Sequence, residues 1–234
     1  NRASRHELAS VRIALTGDGR VAGGAEEMLA AFDIKKVNTG DFLGQNHFGY
    51  PVYVQLDPSQ YHVNRSGQAF DLKHFFNHPE AYAGDFGKFS PVADILIMAA
   101  YWDPNAPVLF TLDDMRKKEF KIRVIADITC DIKGSVPSSI RTTSFEEPFY
   151  DYNPVSETVE EPFSHPGNVT VMTIDNLPCG LPREASIDFG ENILKTTIPL
   201  LLGDDHENTI ERATIARGGK LTDRYRYLEE WVYS

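Results

Sequence analysis

Apolar residues gather along this chain in two kinds of pattern. Four runs, VRIALTG at 11–17, ADILIMAA at 93–100, IRVIADI at 122–128 and VTVMTI at 169–174, are short, nearly unbroken and rich in β-branched side chains. Runs of that length and type indicate strands covered on both faces, the habit of a parallel sheet. The second pattern is periodic. In 22–32, Ala25, Met28, Leu29 and Phe32 recur at three-to-four spacing and predict a helix with these four on one buried stripe. Residues 35–38 read as a brief second strand, so strand, tight turn, helix and strand open a right-handed parallel unit.

Elsewhere the pattern is weaker. Residues 41–90 are aromatic and irregular, with short helices expected near 72–76 and 79–84. Periodicity vanishes over 133–168, and the segment 146–161, with six acids and no base, reads as a solvated loop. After Pro182 the sequence turns helical, with Ile187, Ile193, Leu194 and Ile198 spaced for one face and an interruption at Pro199. Two more helices are expected at 207–216 and 223–231. The reading is an α/β fold: a Rossmann-like parallel sheet with helices on both faces over 1–183, followed by C-terminal helices over 184–234.

Composition narrows the function classes. With 234 residues, 41% hydrophobic and 24% charged, the chain can bury a substantial core without staples. A net charge of −11 sets the long-range field against nucleic acid and anionic membranes, and no apolar run approaches the roughly 18 residues of a membrane span. Two cysteines, Cys130 and Cys179, fit a reducing compartment, taken as the cytoplasm with the mitochondrial matrix as alternative. The start, Asn1 to His6, has neither Met nor the apolar core of a signal peptide and reads as a chain cut from something longer. No spacing suggests a metal site.

Between the first strand and the first helix lies TGDGRVAGGA at 16–25. Gly17 and Gly19 stand at the first two positions of a dinucleotide fingerprint, with Arg20 and Val21 opening the helix. The third glycine is displaced: Ala22 holds its place, and Gly23 or Gly24 follows. Glycines there let the backbone approach a pyrophosphate, whose charge meets the free N–H groups of the helix start. The alternative is a tight turn with no ligand. An acid expected about 20 residues on, at the end of the second strand, is missing. Asn38 and Thr39 stand there, with Lys35, Lys36 and Arg65 able to supply positive charge, which favours NADP over NAD. At the end of the next strand, small Ala99 and Ala100 precede Tyr101 and Trp102, a suitable wall for a nucleotide or an aromatic core corner.

Read together and in order, TGDGRVAGGA, AAYWDPNAPVLFT, ADITCDIKGS, TTSFEEPFYDY, TIDNLPCGLPREAS and KLTDRYRYL resemble the lysine-ketoglutarate reductase and lysine-forming saccharopine dehydrogenase family. The likeness runs over nearly the whole chain and is greatest to the reductase part of bifunctional aminoadipic semialdehyde synthase. More distantly, the chain is similar to alanine dehydrogenase and the nucleotide-binding part of transhydrogenase. The resemblance implies an NAD(P)-dependent oxidoreductase joining lysine and 2-oxoglutarate into saccharopine, or the reverse. It implies that Ile128, Thr129, Ile174, Asp175, Asn176 and Leu177 line the cofactor, that Asp131 places the substrate amine, and that Arg141 and Arg183 are candidates to clamp substrate carboxylates. It further implies a separate amino-terminal domain carrying an acid/base Lys and His, to which nothing in this sequence corresponds. The C-terminal helices would then pack on that domain or on a second copy of the chain.

Overall fold

The computed structural model describes residues 10–232; the amino-terminal stretch read above as a cut end lies outside them. The chain divides into two compact units, one ending at Asp175 and one beginning at Asn176.

The first unit is built on an eight-stranded sheet. Its strands are β1 (Arg12–Thr16), β2 (Lys35–Lys36), β3 (Val52–Leu56), β6 (Ile95–Met98), β7 (Val124–Asp127), β8 (Tyr150–Asn153), β9 (Thr158–Glu160) and β10 (Val169–Met172). A separate two-stranded sheet pairs β4 (His62–Asn64) with β5 (Tyr82–Gly84). The order across the large sheet is β2-β3-β1-β6-β7-β10-β8-β9. The first six are parallel, and the last two form an antiparallel hairpin at one edge. This is the expected Rossmann-like architecture.

Four details depart from expectation. The neighbour of β1 is β3 and not the 35–38 strand, which pairs outside it. The Val52–Leu56 strand lay hidden in the irregular region because Gln55 interrupts its apolar run and no helix-forming pattern follows it. The acidic segment 146–161 is not a solvated loop either, since it holds β8 and β9, with Tyr150, Asp151 and Tyr152 buried. The expected 79–84 helix is a 3-10 turn, Pro79–Ala81, running into β5. Finally, helix α1 (Arg20–Ala31) turns Ala22 and Leu29 inward, while Met28 and Phe32 are 58% and 70% exposed. The face centred on Ala22, Ala25 and Leu29 brings small side chains to the sheet, and Met28 lies roughly 100° round from it.

Both faces of the sheet are covered. Under α1, Ile13, Leu15, Tyr53 and Ala99 pack with Ala22 and Leu29. On the other side Ala14, Val54, Leu96, Ile125 and Val171 meet Phe42 of α2 (Thr39–Gly44) and Met115 of α4 (Leu112–Met115), among many aromatic rings. Between β3 and β6 the chain makes an aromatic insert. In it Phe75 of α3 (Leu72–Asn77) lies 4.6 Å from the His62 ring and 5.1 Å from the Tyr82 ring, the latter edge to face.

Asp151 is, with Asp127, one of two carboxylates buried among the described residues of this unit. At 1% exposure it accepts hydrogen bonds from Thr170 Oγ1 at 2.6 Å, from the backbone N–H groups of Phe163 and Ser164 at 2.9 Å each, and from Asn168 Nδ2 at 3.4 Å. These donors join β8, the turn after β9 and the start of β10.

The second unit is helical with one small hairpin. Helices α5 (Pro182–Asn192) and α6 (Ile198–Leu202) are linked by a π-helical stretch, Ile193–Thr197, so Pro199 does not end the helix as expected. The wider π turn accommodates a residue that has no N–H to give. Helix α7 covers only Thr209–Ala213. The hairpin β11 (Ala216–Arg217) and β12 (Lys220–Leu221) follows, then a 3-10 segment, Asp223–Leu228, and α8 (Glu229–Val232). Among the described residues no helix is long and apolar enough to cross a membrane.

Candidate functional site

In an open parallel sheet, ligands sit beyond the carboxyl ends of the strands where the strand order reverses. Here that point lies between β1 and β6, because the chain leaves β1 toward β3 and later returns on the other side. The glycine loop and the Ala99–Ala100 pair stand at these two strand ends. They open on a cavity of about 350 Å³, lined by Gly17, Gly19, Arg20 and Val21 on one side and by Ala99, Ala100, Tyr101 and Trp102 on another.

The two glycines do different work. Gly17 has φ +98°, and a Cβ there would lie 2.8 Å from the Ala99 carbonyl oxygen and 3.1 Å from the Ala100 nitrogen. Its N–H donates to the Leu56 carbonyl at 2.8 Å, so this residue sews the ends of β1, β3 and β6 together. Gly19 caps the helix with extended backbone, and a Cβ there would meet nothing within 4 Å. Open space beside an uncapped helix start is the cradle that a pyrophosphate needs. Ala22, fully buried, makes the close helix-to-sheet contact of the fingerprint's third position. Gly23 is not among the cavity residues; its N–H donates to the Gly19 carbonyl within the helix.

The remaining wall was not legible in the sequence. Pro58, Tyr61, His62, Phe75 and Phe76 come from the aromatic insert. Burial pushes the His62 imidazole below its usual range, against the Pro58 and Pro107 carbonyls that favour its protonated form. Its Nδ1 donates to the Pro58 carbonyl at 3.2 Å. Phe76 and Tyr101 are 57% and 76% exposed, so two rings project from the same cavity.

Because β3 is the true neighbour of β1, the acid position of the fold is Asp57 and not Asn38. Asp57 directly follows β3, and its Oδ1 accepts from Ser59 N at 2.9 Å and from Ser59 Oγ at 2.5 Å. It borders a hollow that shares Asp18 and Pro58 with the main cavity. Lys36 is engaged, with Nζ 2.6 Å from both Glu26 Oε1 and Gln55 Oε1, and Lys35 and Arg65 are exposed.

On the far side of β6, the end of β7 carries Ile128, Thr129 and Asp131. The Ile128 N–H donates to the Met98 carbonyl at 3.0 Å, placing this turn beside the Ala99 corner. Asp131 is half-buried, and burial together with the negative Asp127 raises its carboxyl pKa, an effect opposed by a hydrogen bond from Thr129. Cys130 sits between them at φ +53°. Burial, then Asp127, Asp175 and Asp131, push its thiol up to about 11, so the side chain is a neutral thiol. Ile174 is buried and bridges Thr143, and Asp175 is exposed at the end of this unit. The backbone of Arg141 lies beside the end of β10, where its carbonyl accepts from Thr173 Oγ1 at 2.6 Å. Its guanidinium stacks 4.7 Å from the Tyr150 ring centre, facing a cleft that includes Glu146, Glu147, Glu160 and Glu161. Asn176, Leu177 and Arg183 belong to the second unit, where Asn176 precedes the 3-10 turn Leu177–Gly180 and Arg183 is exposed in α5. The structure thus gathers the glycine loop, Ala99 and Ala100 around one cavity, with Ile128, Thr129, Asp131 and Asp175 along the adjoining strand ends. Among the described residues no cluster of His, Cys, Asp and Glu has the makings of a metal site.

Several known proteins resemble this chain in sequence. The alpha-aminoadipic semialdehyde synthase of Arabidopsis thaliana is 31% identical over 236 residues, covering 91% of this chain and 22% of that protein. The mitochondrial alpha-aminoadipic semialdehyde synthase of Mus musculus is 26% identical over 244 residues, 92% of this chain and 26% of that protein. The saccharopine dehydrogenase [NAD(+), L-lysine-forming] of Schizosaccharomyces pombe is 30% identical over 119 residues, 49% of this chain and 30% of that protein. The chain is a homologue of these enzymes. It spans about a quarter of the length of the synthases it matches. No protein-family model matches it. The resemblance read from the six motifs therefore holds over most of the chain.

Proposed function

We propose that this chain is the dinucleotide-binding part of an oxidoreductase that interconverts lysine plus 2-oxoglutarate with saccharopine. The observation that carries the reading is the placement of an open Gly19 helix start and the Ala99–Ala100 corner on either side of one cavity at the sheet's switch point. Homology to the synthases and dehydrogenases supplies the substrate class.

In this reading the N–H groups at the start of α1 hold the pyrophosphate, and Asp57 accepts from the adenosine ribose. The adenine enters the cavity between the insert and Tyr101. Ile128, Thr129, Ile174 and Asp175 flank the nicotinamide end. The cofactor, when bound, carries the hydride exchanged with a C=N carbon. The chain's own task is to orient that ring, exclude water and present Asp131 to the substrate amine, while Arg141, turned toward an acidic cleft, takes no part in it. A carboxylate at the ribose position repels a 2′-phosphate, so Asp57 supports NAD, and the expectation of NADP loses its premise with the sheet order. Because the chain spans a quarter of the synthases, a cofactor-binding module that catalyses nothing by itself is the second reading.

Titration followed by quenching of Trp102, which lines the cavity, tests the proposal. NADH should bind at least about tenfold more tightly than NADPH, and Asp57→Ser should bring the two within about threefold. Absence of binding by either dinucleotide would end the reading. Phe76→Ala should weaken AMP and ADP-ribose about fivefold by removing one ring from the cavity, with nicotinamide mononucleotide unchanged.

A further inference from the structure

The turn after β7 is longer than a strand-to-strand connection requires, and it is anchored in an unusual way. Asp127, the last residue of β7, is 1% exposed. Its Oδ1 accepts from Thr129 Oγ1 at 2.6 Å and from the Cys130 N–H at 3.2 Å, at the start of the turn. Its Oδ2 accepts from Ser139 Oγ, twelve residues along the chain, at the turn's end. One carboxylate therefore closes the loop 128–139 on itself.

Within that closed loop the backbone is tightly set. Lys133 and Cys130 have φ of +56° and +53°, and the Lys133 N–H donates to the Ser139 carbonyl at 2.8 Å. The Gly134 N–H donates to the Asp131 carbonyl at 2.7 Å. A Cβ on Gly134 would lie 2.6 Å from Asp131 Cβ and 3.2 Å from the Trp102 ring, so Asp131 and the cavity wall are in register through a residue with no side chain. Left-handed backbone at two non-glycine positions persists only where the surroundings over-determine it, and the Asp127 bonds supply that constraint.

We propose that Asp127 is a positioning residue: its carboxylate ties both ends of the loop 128–139 to the sheet and so holds Asp131 at the nicotinamide end of the crevice. The inference rests on the dinucleotide reading of that crevice. It assigns Asp127 no contact with substrate or cofactor, only the placing of a residue that makes one.

Two measurements on the full chain test it. Amide hydrogen exchange over 129–139 should speed by at least about tenfold in Asp127→Ala and in Ser139→Ala. In Asp127→Asn it should stay within about twofold, because the amide oxygen still accepts from Thr129 and Cys130 while its NH₂ donates to Ser139 Oγ. The Kd for NADH should rise about tenfold in Asp127→Ala and recover in Asp127→Asn, whereas ADP-ribose, which lacks the nicotinamide, should change by less than about threefold in both. Unchanged exchange in the alanine variants overturns the proposal, and so does a loss of ADP-ribose affinity equal to that of NADH. Failure of the unsubstituted chain to bind any dinucleotide would instead sink the cofactor reading, and the exchange experiment would still decide whether Asp127 closes the loop.

Discussion

Replacing Gly19 by Val should abolish dinucleotide binding while leaving the fold almost untouched. A side chain at this position meets no atom of the protein within 4 Å, and its backbone is extended at φ −85°, so the native conformation accepts Val. The cost to the helix start is about 1 kcal/mol, or a fall in Tm of no more than about 4 °C. The isopropyl group would occupy the approach to the free N–H groups, and affinity for NADH should drop at least about 100-fold. Gly17→Val should behave in the opposite way. Its φ of +98° and the 2.8 Å approach to the Ala99 carbonyl leave no room for a Cβ against backbone. That variant should lose about 2–4 kcal/mol of stability, with binding lost only as a by-product of unfolding. Thermal melts and NADH titrations on both variants separate the roles. A Gly19→Val protein that binds normally would show that the loop is a turn and nothing more.

The largest effect on stability is expected at Asp151. Asp151→Ala removes the acceptor of the buried Thr170 hydroxyl and Asn168 amide and of the Phe163 and Ser164 N–H groups at the exposed turn beside them. Removing a buried carboxylate that accepts charge-assisted bonds from four residues costs about 3–5 kcal/mol, which in a domain of this size lowers Tm by roughly 10–15 °C. The effect should depend on pH. Burial acts to raise the Asp151 carboxyl, but the bonds from Thr170, Phe163, Ser164 and Asn168 outweigh it and hold the group below its ordinary 3.8. A depressed carboxyl stabilises the fold above the unfolded value, and that contribution disappears as pH falls through the folded one. The gap in Tm between the unsubstituted chain and Asp151→Asn should therefore be full at neutral pH and narrow below about pH 4. A gap that stays constant down to pH 3 would mean that the charge of Asp151 contributes nothing.

How much of this was legible in the sequence depends on whether the deciding contacts are local. The runs at 11–17, 93–100, 122–128 and 169–174 appear as β1, β6, β7 and β10, and the glycine loop falls where the first strand meets the first helix. Each of these is a short-range pattern. Strand β8 stayed hidden because Asp151 reads as a surface residue; its burial is possible only through donors from Phe163 to Thr170, which no local pattern reveals. The position of Asp57 at the end of β1's neighbour was missed for a topological reason, since β3 enters the sheet between β1 and β2. Met28 and Phe32 illustrate the remaining ambiguity, because apolar spacing on a helix defines two overlapping stripes and Ala22 and Leu29 won by fitting closer to the sheet. Of the candidate site, the glycines and alanines were readable from their smallness, whereas the rings of Tyr61, Phe75 and Phe76 arrive from a folded insert.

The two borders of the large sheet carry a final implication. One ends in a two-residue strand made of Lys35 and Lys36, the other in a tight hairpin bearing Glu157, Glu160 and Glu161. Charged, abbreviated margins of this kind discourage the stitching of further strands from neighbouring molecules. The large sheet should therefore resist ribbon-like growth at either border even when the molecule is crowded.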